Sequence, residues 1–132
     1  MPGYVPDASA VVEYLLQTPA GLAVSELIAG AELAAPELLD PEVMSSLRRR
    51  VLSGRLAEGQ ALRILDELAD LPIERVAHRS LIHTAWQLYR NVSAYDALYV
   101  ALARVQGFAL LTADGRLARA SGLEASVRYV QF

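Results

Sequence analysis

SAYDALYVALARVQGFALLTADGRLARA, residues 93–120, reads as a complete helix–strand–helix passage. Ser93 followed three residues later by Asp96 is a capping box of the Ser-x-x-acid type, so a helix opens there. It runs to Gln106 and ends at Gly107, the residue type that stops helices in a left-handed conformation. Phe108-Ala-Leu-Leu-Thr112 shows no polar alternation, as expected of a strand covered on both faces. Asp114 then caps a short helix ending near Gly122. An apolar strand held between two helices is the unit from which parallel α/β domains are built.

The same alternation extends in both directions. Downstream, Val127 to Val130 closes the chain as a strand. Upstream, Leu81 to Tyr89 reads as a helix, and Ile73 to Ala77 as a strand after Pro72. Ala57 to Leu71 is a helix with Leu62, Leu65 and Leu68 facing inward. Asp40-Pro41-Glu42 is a helix start with a capping aspartate, a proline at the first position and an acid in the first turn. That helix carries Val43, Leu47 and Val51 on one face and ends at Gly54. Glu32 to Pro36 is a strand, Pro19 to about Gly30 a short helix, Asp7 to Leu16 another helix, and Tyr4 to Pro6 a first extended stretch. No repeat, low-complexity segment or linker interrupts this order. Residues 1–132 are therefore expected to form one α/β domain, with a parallel sheet and helices on both faces.

Composition narrows the chemistry. Of 132 residues, 12 are basic and 15 acidic, a net charge of −3, and 54% are hydrophobic against 20% charged, which excludes disorder. The absence of cysteine removes disulfides, zinc–thiolate sites and a thiol nucleophile. Every basic residue is arginine. Without lysine there is no phosphate loop ending in Gly-Lys-Ser/Thr, no Schiff-base chemistry and no protein kinase. No apolar run approaches the roughly 18 residues of a membrane span, and the first residues lack the basic and apolar stretches of a signal peptide. A cytoplasmic protein with no membrane partner is expected.

Four acids recur in one structural position: Asp7, Glu42, Asp96 and Asp114 each fall at the first turn of a predicted helix. In an open parallel sheet such junctions gather along the carboxyl edge, where ligands bind. Carboxylates converging there repel one another unless a cation lies between them, and hard oxygen ligands favour Mg²⁺ or Mn²⁺. Taken singly, each acid also reads as an ordinary helix cap, and spacing alone leaves both readings open. His78 and His83 are remote from the acids, and Ser9 lacks the Gly-x-Ser-x-Gly setting of a nucleophile. Tyr99 reads as core and Tyr95 as a residue able to stack on a base. The run Arg48, Arg49, Arg50 is either a solvated face or a contact with RNA or with a partner.

VPDASAVVEYLL (5–16), APELLDPEVMSSLRR (35–49), the passage 93–120 and the closing VRYV (127–130) resemble the PIN-domain ribonucleases, most closely the toxin member of VapBC-type toxin–antitoxin pairs. The resemblance implies a three-layer α/β/α sandwich with a central, mainly parallel sheet. It also implies a Mg²⁺-dependent endoribonuclease, with Mn²⁺ able to substitute, acting as the toxic component of a type II system. By position Asp7, Glu42, Asp96 and Asp114 match the family's four catalytic acids. Asp7 and Asp96 are expected to hold the metal directly, with Glu42 and Asp114 beside it. Ser9 and Thr112 match supporting hydroxyls. The implied partners are a folded RNA (a transfer or ribosomal RNA among the candidates), a cognate antitoxin, and a second copy in a homodimer. Val11, Leu15, Leu22 and Leu27 of the first two helices are expected to supply the antitoxin contact. The alternative is a catalytically weak PIN-fold binding protein acting mainly within a toxin–antitoxin complex on operon DNA. Two departures stand out: Pro6 precedes the first acid, where an apolar strand residue is usual, and Arg116-Leu117 occupies the neighbourhood, shortly after the fourth acid, where many relatives carry a further acid or amide.

Overall fold

The computed structural model describes residues 2–131. The chain runs β1 (Gly3–Pro6), α1 (Ala8–Leu16), α2 (Pro19–Ile28), β2 (Glu32–Pro36), α3 (Leu39–Leu52), α4 (Glu58–Asp70) and β3 (Glu74–Val76). It continues with a 3-10 turn (His78–Leu81), α5 (Ile82–Trp86), α6 (Ala94–Gln106), β4 (Ala109–Thr112), α7 (Gly115–Ala118) and β5 (Val127–Tyr129). The five strands lie in the order β3-β2-β1-β4-β5, every neighbouring pair parallel. The expected three-layer sandwich is the observed one. Successive residues point to opposite faces of a strand. Accordingly Val5 and Leu110 join the cluster that holds Ala97 and Val100 of α6, while Leu111 joins Ala10 of α1 and Val24 of α2.

Local signals explain why the elements begin where they do. The side chain of Asp7 accepts the Ala10 N–H, that of Thr18 accepts the Gly21 N–H with Pro19 at the first helical position, and that of Ser93 accepts the Asp96 N–H. Gly107 ends α6 with φ +68°, a conformation that a side chain disfavours. Pro6 is accommodated because the ladder between β1 and β2 already ends at Tyr4↔Leu33. The next amide, that of Asp7, donates to the Leu111 carbonyl on β4, so the N–H that proline lacks would have faced β2, beyond that ladder.

Several sequence expectations are corrected. Helix α3 begins at Leu39 and Asp40 does not cap it. Instead Asp40 pairs with Arg75 of β3 at 3.0 Å, and the same guanidinium bonds the carbonyls of Leu68, Leu71 and Ile73. The start of α3 is bonded from a distance, by the Leu38 N–H donating to His78 Nε2 at 3.0 Å. Leu62 points to solvent, and Ala61, Ile64 and Leu68 form the inner face of α4. The helix expected over 81–89 is shortened to α5, with the 3-10 turn before it, and α7 is a single turn. Val11 and Leu15 are buried in the core and cannot meet a partner, whereas Leu22 is 63% exposed.

The strand order places β1 between a branch that continues through β2 to β3 and another that continues through β4 to β5. The crevice where an open sheet reverses its winding lies outside the carboxyl ends of β1 and β4. Asp7 follows β1 there, and Ala113-Asp114 follows β4.

Candidate functional site

Asp7 is 5% exposed and tightly bonded. Its Oδ1 accepts from the Ser9 hydroxyl at 2.6 Å and from the Ala10 N–H at 3.0 Å, and its Oδ2 accepts from the Thr112 hydroxyl at 2.5 Å. Those hydroxyls also receive bonds, Ser9 Oγ from the Ala113 N–H at 2.9 Å and Thr112 Oγ1 from the Asp114 N–H at 3.0 Å. Ser9 and Thr112 thus join the loop after β1 to the loop after β4. Burial pushes the Asp7 carboxyl up to about 6, against the pull of these donors, and the charge of Asp96 adds to the rise.

That shift fixes a pH dependence for the metal-free protein. Between the ordinary value of 3.8 and about 6, folded Asp7 holds a proton that the unfolded chain has released. Stability from this group is therefore complete below that window and lost as pH rises through about 6, by up to ~3 kcal/mol for two pH units. The thermal midpoint of metal-free protein is expected to fall between about pH 4 and 6 and to level off above that. Asp7→Asn should flatten that slope, and an unchanged slope in this variant would show that other groups cause it.

Glu42 lies in the first turn of α3, where its Oε1 accepts from the Tyr99 hydroxyl at 2.7 Å. Burial holds the Glu42 carboxyl above its usual range, opposed by the Tyr99 bond, with Asp96 raising it further. Asp96 and Tyr99 are one turn apart on α6 and so share a face. Asp114 caps α7 by accepting from the Arg116 and Leu117 N–H groups. One nitrogen of Arg116, Nη2, lies 3.1 Å from Asp96 Oδ2 and 3.1 Å from Asp114 Oδ2.

The structure brings Asp7, Glu42, Asp96 and Asp114 around one cleft of about 780 Å³. Among the described residues no three acidic or histidine side chains form a ready-made metal cage, so the carboxylates face a shared space without closing on a point. Arg49, Arg50 and Arg55 also line this cleft, as does Tyr95. The arginine run is thereby divided, because Arg48 turns instead to an apolar groove with Met44, Leu52 and Leu62. His78 is engaged by the Leu38 amide, and His83 does not line the cleft.

Two participants escaped sequence reasoning. Tyr99 reads as plain core, and its tie to Glu42 spans 57 positions; the available signal was its place one turn after Asp96. Arg116 reads only as part of a neighbourhood lacking a further acid or amide, although a cation two residues after a capping carboxylate is placed to bond it.

The donor set suits a hard divalent cation. It consists of carboxylate and hydroxyl oxygens, and the buried Asp7 is satisfied by neutral donors, with no cationic side chain among its hydrogen-bond partners. Comparison with known proteins agrees with this architecture. The PIN domain family model matches residues 4–123. The chain is 45% identical over 129 residues to ribonuclease VapC1 of Mycobacterium tuberculosis, covering 96% of this chain and 97% of that protein. It is 36% identical over 124 residues to ribonuclease VapC12 of the same organism, covering 94% and 96%. Among solved structures, PAE2754 from Pyrobaculum aerophilum superposes with TM-score 0.65 at 22% identity, covering 96% of this chain and 83% of that one. A chain of VapBC2 from Rickettsia felis, bound to a DNA fragment from their promoter, gives TM-score 0.65 at 15% identity, covering 98% and 99%. At such identities these two share the fold.

Proposed function

The chain belongs to the PIN-domain family, in its VapC group, and from that membership we propose that it is a Mg²⁺-dependent endoribonuclease, the toxin of a type II toxin–antitoxin pair. The observation that carries this reading is the meeting of four carboxylates, from four separate helix starts, around one cleft that arginines also line. The active unit is proposed to be the whole chain, 1–132, as one domain, its first and last residues lying outside the described ones. A cytoplasmic site of action fits the described residues, which contain no helix long and apolar enough to cross a membrane.

Asp7 and Asp96 would hold the cation, with Glu42 and Asp114 beside it. When bound, Mg²⁺, or Mn²⁺ in its place, supplies Lewis acidity and offsets negative charge at the phosphodiester. The protein's own groups do the rest. Ser9, Thr112 and the Ala10 amide fix the Asp7 carboxylate in one orientation. Tyr99 fixes Glu42, whose free oxygen is suited to orient a water and take its proton. Arg49, Arg50 and Arg55 are suited to hold flanking phosphates. Setting the four acids aside leaves a net charge of only +1, too little for a general basic field. Recognition of a folded RNA by shape, such as a transfer or ribosomal RNA, is therefore favoured over non-specific binding.

The test is cleavage of a transcribed RNA pool by purified protein with Mg²⁺, with Mn²⁺ and with a chelator. Cleavage restricted to the metal-containing reactions supports the proposal, and equal cleavage under chelation rejects it. Tyr99→Phe separates the roles further, since it deletes one buried hydroxyl without opening a cavity. It is expected to lower kcat by ~10-fold while metal affinity holds, as loss of a supporting hydrogen bond does. A wild-type kcat would remove Tyr99 from the site.

The proposed partner is a cognate antitoxin whose cationic side chain pairs with the carboxylates and blocks phosphate entry. Of the apolar residues expected to meet it, Leu22 and Leu27 remain available at the surface of α2, Leu22 being the more exposed.

A further inference from the structure

Arg116 pairs with two of these acids. Its Nη2 bridges Asp96 Oδ2 on α6 and Asp114 Oδ2 at the start of α7, 3.1 Å from each. Its backbone is fixed independently, because the Arg116 N–H donates to Asp114 Oδ1 at 2.9 Å. The side chain itself is 67% exposed. Rotation about side-chain bonds alone can therefore withdraw the guanidinium, without moving α7. Exposed ion pairs of this kind are weak enough to exchange.

We propose that Arg116 is a built-in competitor of the metal: its guanidinium neutralises the Asp96–Asp114 pair in the metal-free protein, must leave for a divalent cation to bind, and then serves as a ligand for a backbone phosphate of the RNA. The inference rests on the functional reading above. Two considerations fix the order of events. A divalent ion close to Asp96 competes for the carboxylate that the guanidinium now pairs with, and it repels the guanidinium's charge. Once displaced, the guanidinium remains tethered beside the cleft, where a phosphodiester offers the paired oxygens that its fork recognises best. Arg116 thus raises the metal concentration at which the protein loads.

Calorimetric titration of Mn²⁺ alone into RNA-free protein tests the first half. Arg116→Met keeps length and packing without charge, and should bind Mn²⁺ ~5- to 10-fold more tightly than the wild type, a range typical of one coupled site. Arg116→Lys should stay near the wild type. Equal Mn²⁺ affinity in wild type and Arg116→Met overturns the competition. Absence of Mn²⁺ binding in both proteins overturns the metal site itself, and with it this inference, so the two failures are distinguishable. The second half is read from binding of a mixed-sequence 2′-O-methyl RNA oligonucleotide in Mg²⁺ at several salt concentrations. Arg116→Met should weaken binding and reduce the salt slope by about one, as expected for one lost phosphate contact. An unchanged slope overturns the phosphate role.

Discussion

Asp7→Asn and Asp96→Asn are each expected to lower RNA cleavage at least ~100-fold without unfolding the protein, because each removes a charged oxygen proposed to hold the metal and leaves packing intact. The expectation is sharpest at Asp7. Asparagine caps a helix about as well as aspartate, so α1 should still start at the same residue. Its carbonyl oxygen can still accept the Ala10 N–H. What disappears is a buried negative charge, whose removal should leave the metal-free melting temperature unchanged or higher above pH 6, while the stabilisation brought by added Mg²⁺ weakens. Asp66→Asn, on the exposed side of α4, is the suitable control. Asp40 would be a poor one, since it pairs with Arg75 and anchors the turn into β3. Full activity of Asp96→Asn with unaltered metal dependence would contradict the assignment.

Gly21→Ala should destabilise the fold by ~3 kcal/mol or more, the range of severe overpacking. A Cβ added at Gly21 would lie 2.1 Å from the Glu13 carbonyl oxygen and 2.7 Å from its carbon. Both are backbone atoms of α1, so no side-chain rotation relieves the clash, and α2 must lift from α1. The helix preference of alanine over glycine returns at most about 1 kcal/mol. Gly59, in the first turn of α4, provides the contrast: its added Cβ meets nothing nearer than Arg63 Nη1 at 4.0 Å. Gly59→Ala is expected to be neutral or stabilising by about 0.5 kcal/mol. Urea denaturation of both variants decides the matter. A Gly21→Ala loss below ~0.5 kcal/mol, the level of an ordinary surface substitution, would mean that the two helices do not approach so closely.

The parts of this architecture legible in the sequence are those specified by neighbours in the chain. Ser93, Gly107, Thr18-Pro19 and Asp114 mark element ends through bonds spanning two to five residues, and the observed boundaries follow them. The start of α3 could not be read this way. Its amide is satisfied by His78, forty positions later, and the aspartate that resembles its cap is engaged by Arg75. Periodicity likewise shows that α1 has an apolar face but not what covers it. Val11 and Leu15 look available for a partner until α2, α3 and α4 pack around α1. At the site, the four acids were visible because each opens a helix. Tyr99 and Arg116 were not, since their significance lies in carboxylates reached only after the sheet forms.

The bond between Thr112 and Asp7 spans 105 positions, and its consequence concerns synthesis. Strand β1 is made well before β4, its neighbour across the crevice, with six α-helices, a 3-10 turn and two strands between them. Contacts of such sequence separation form late and slowly. While the chain is emerging, Asp7 and Glu42 exist without Asp96, Thr112 or Asp114. An N-terminal fragment of any length short of β4 therefore has no complete cleft. The activity proposed for the cleft is thus withheld from unfinished copies, and the proposed restraint by an antitoxin concerns completed chains alone.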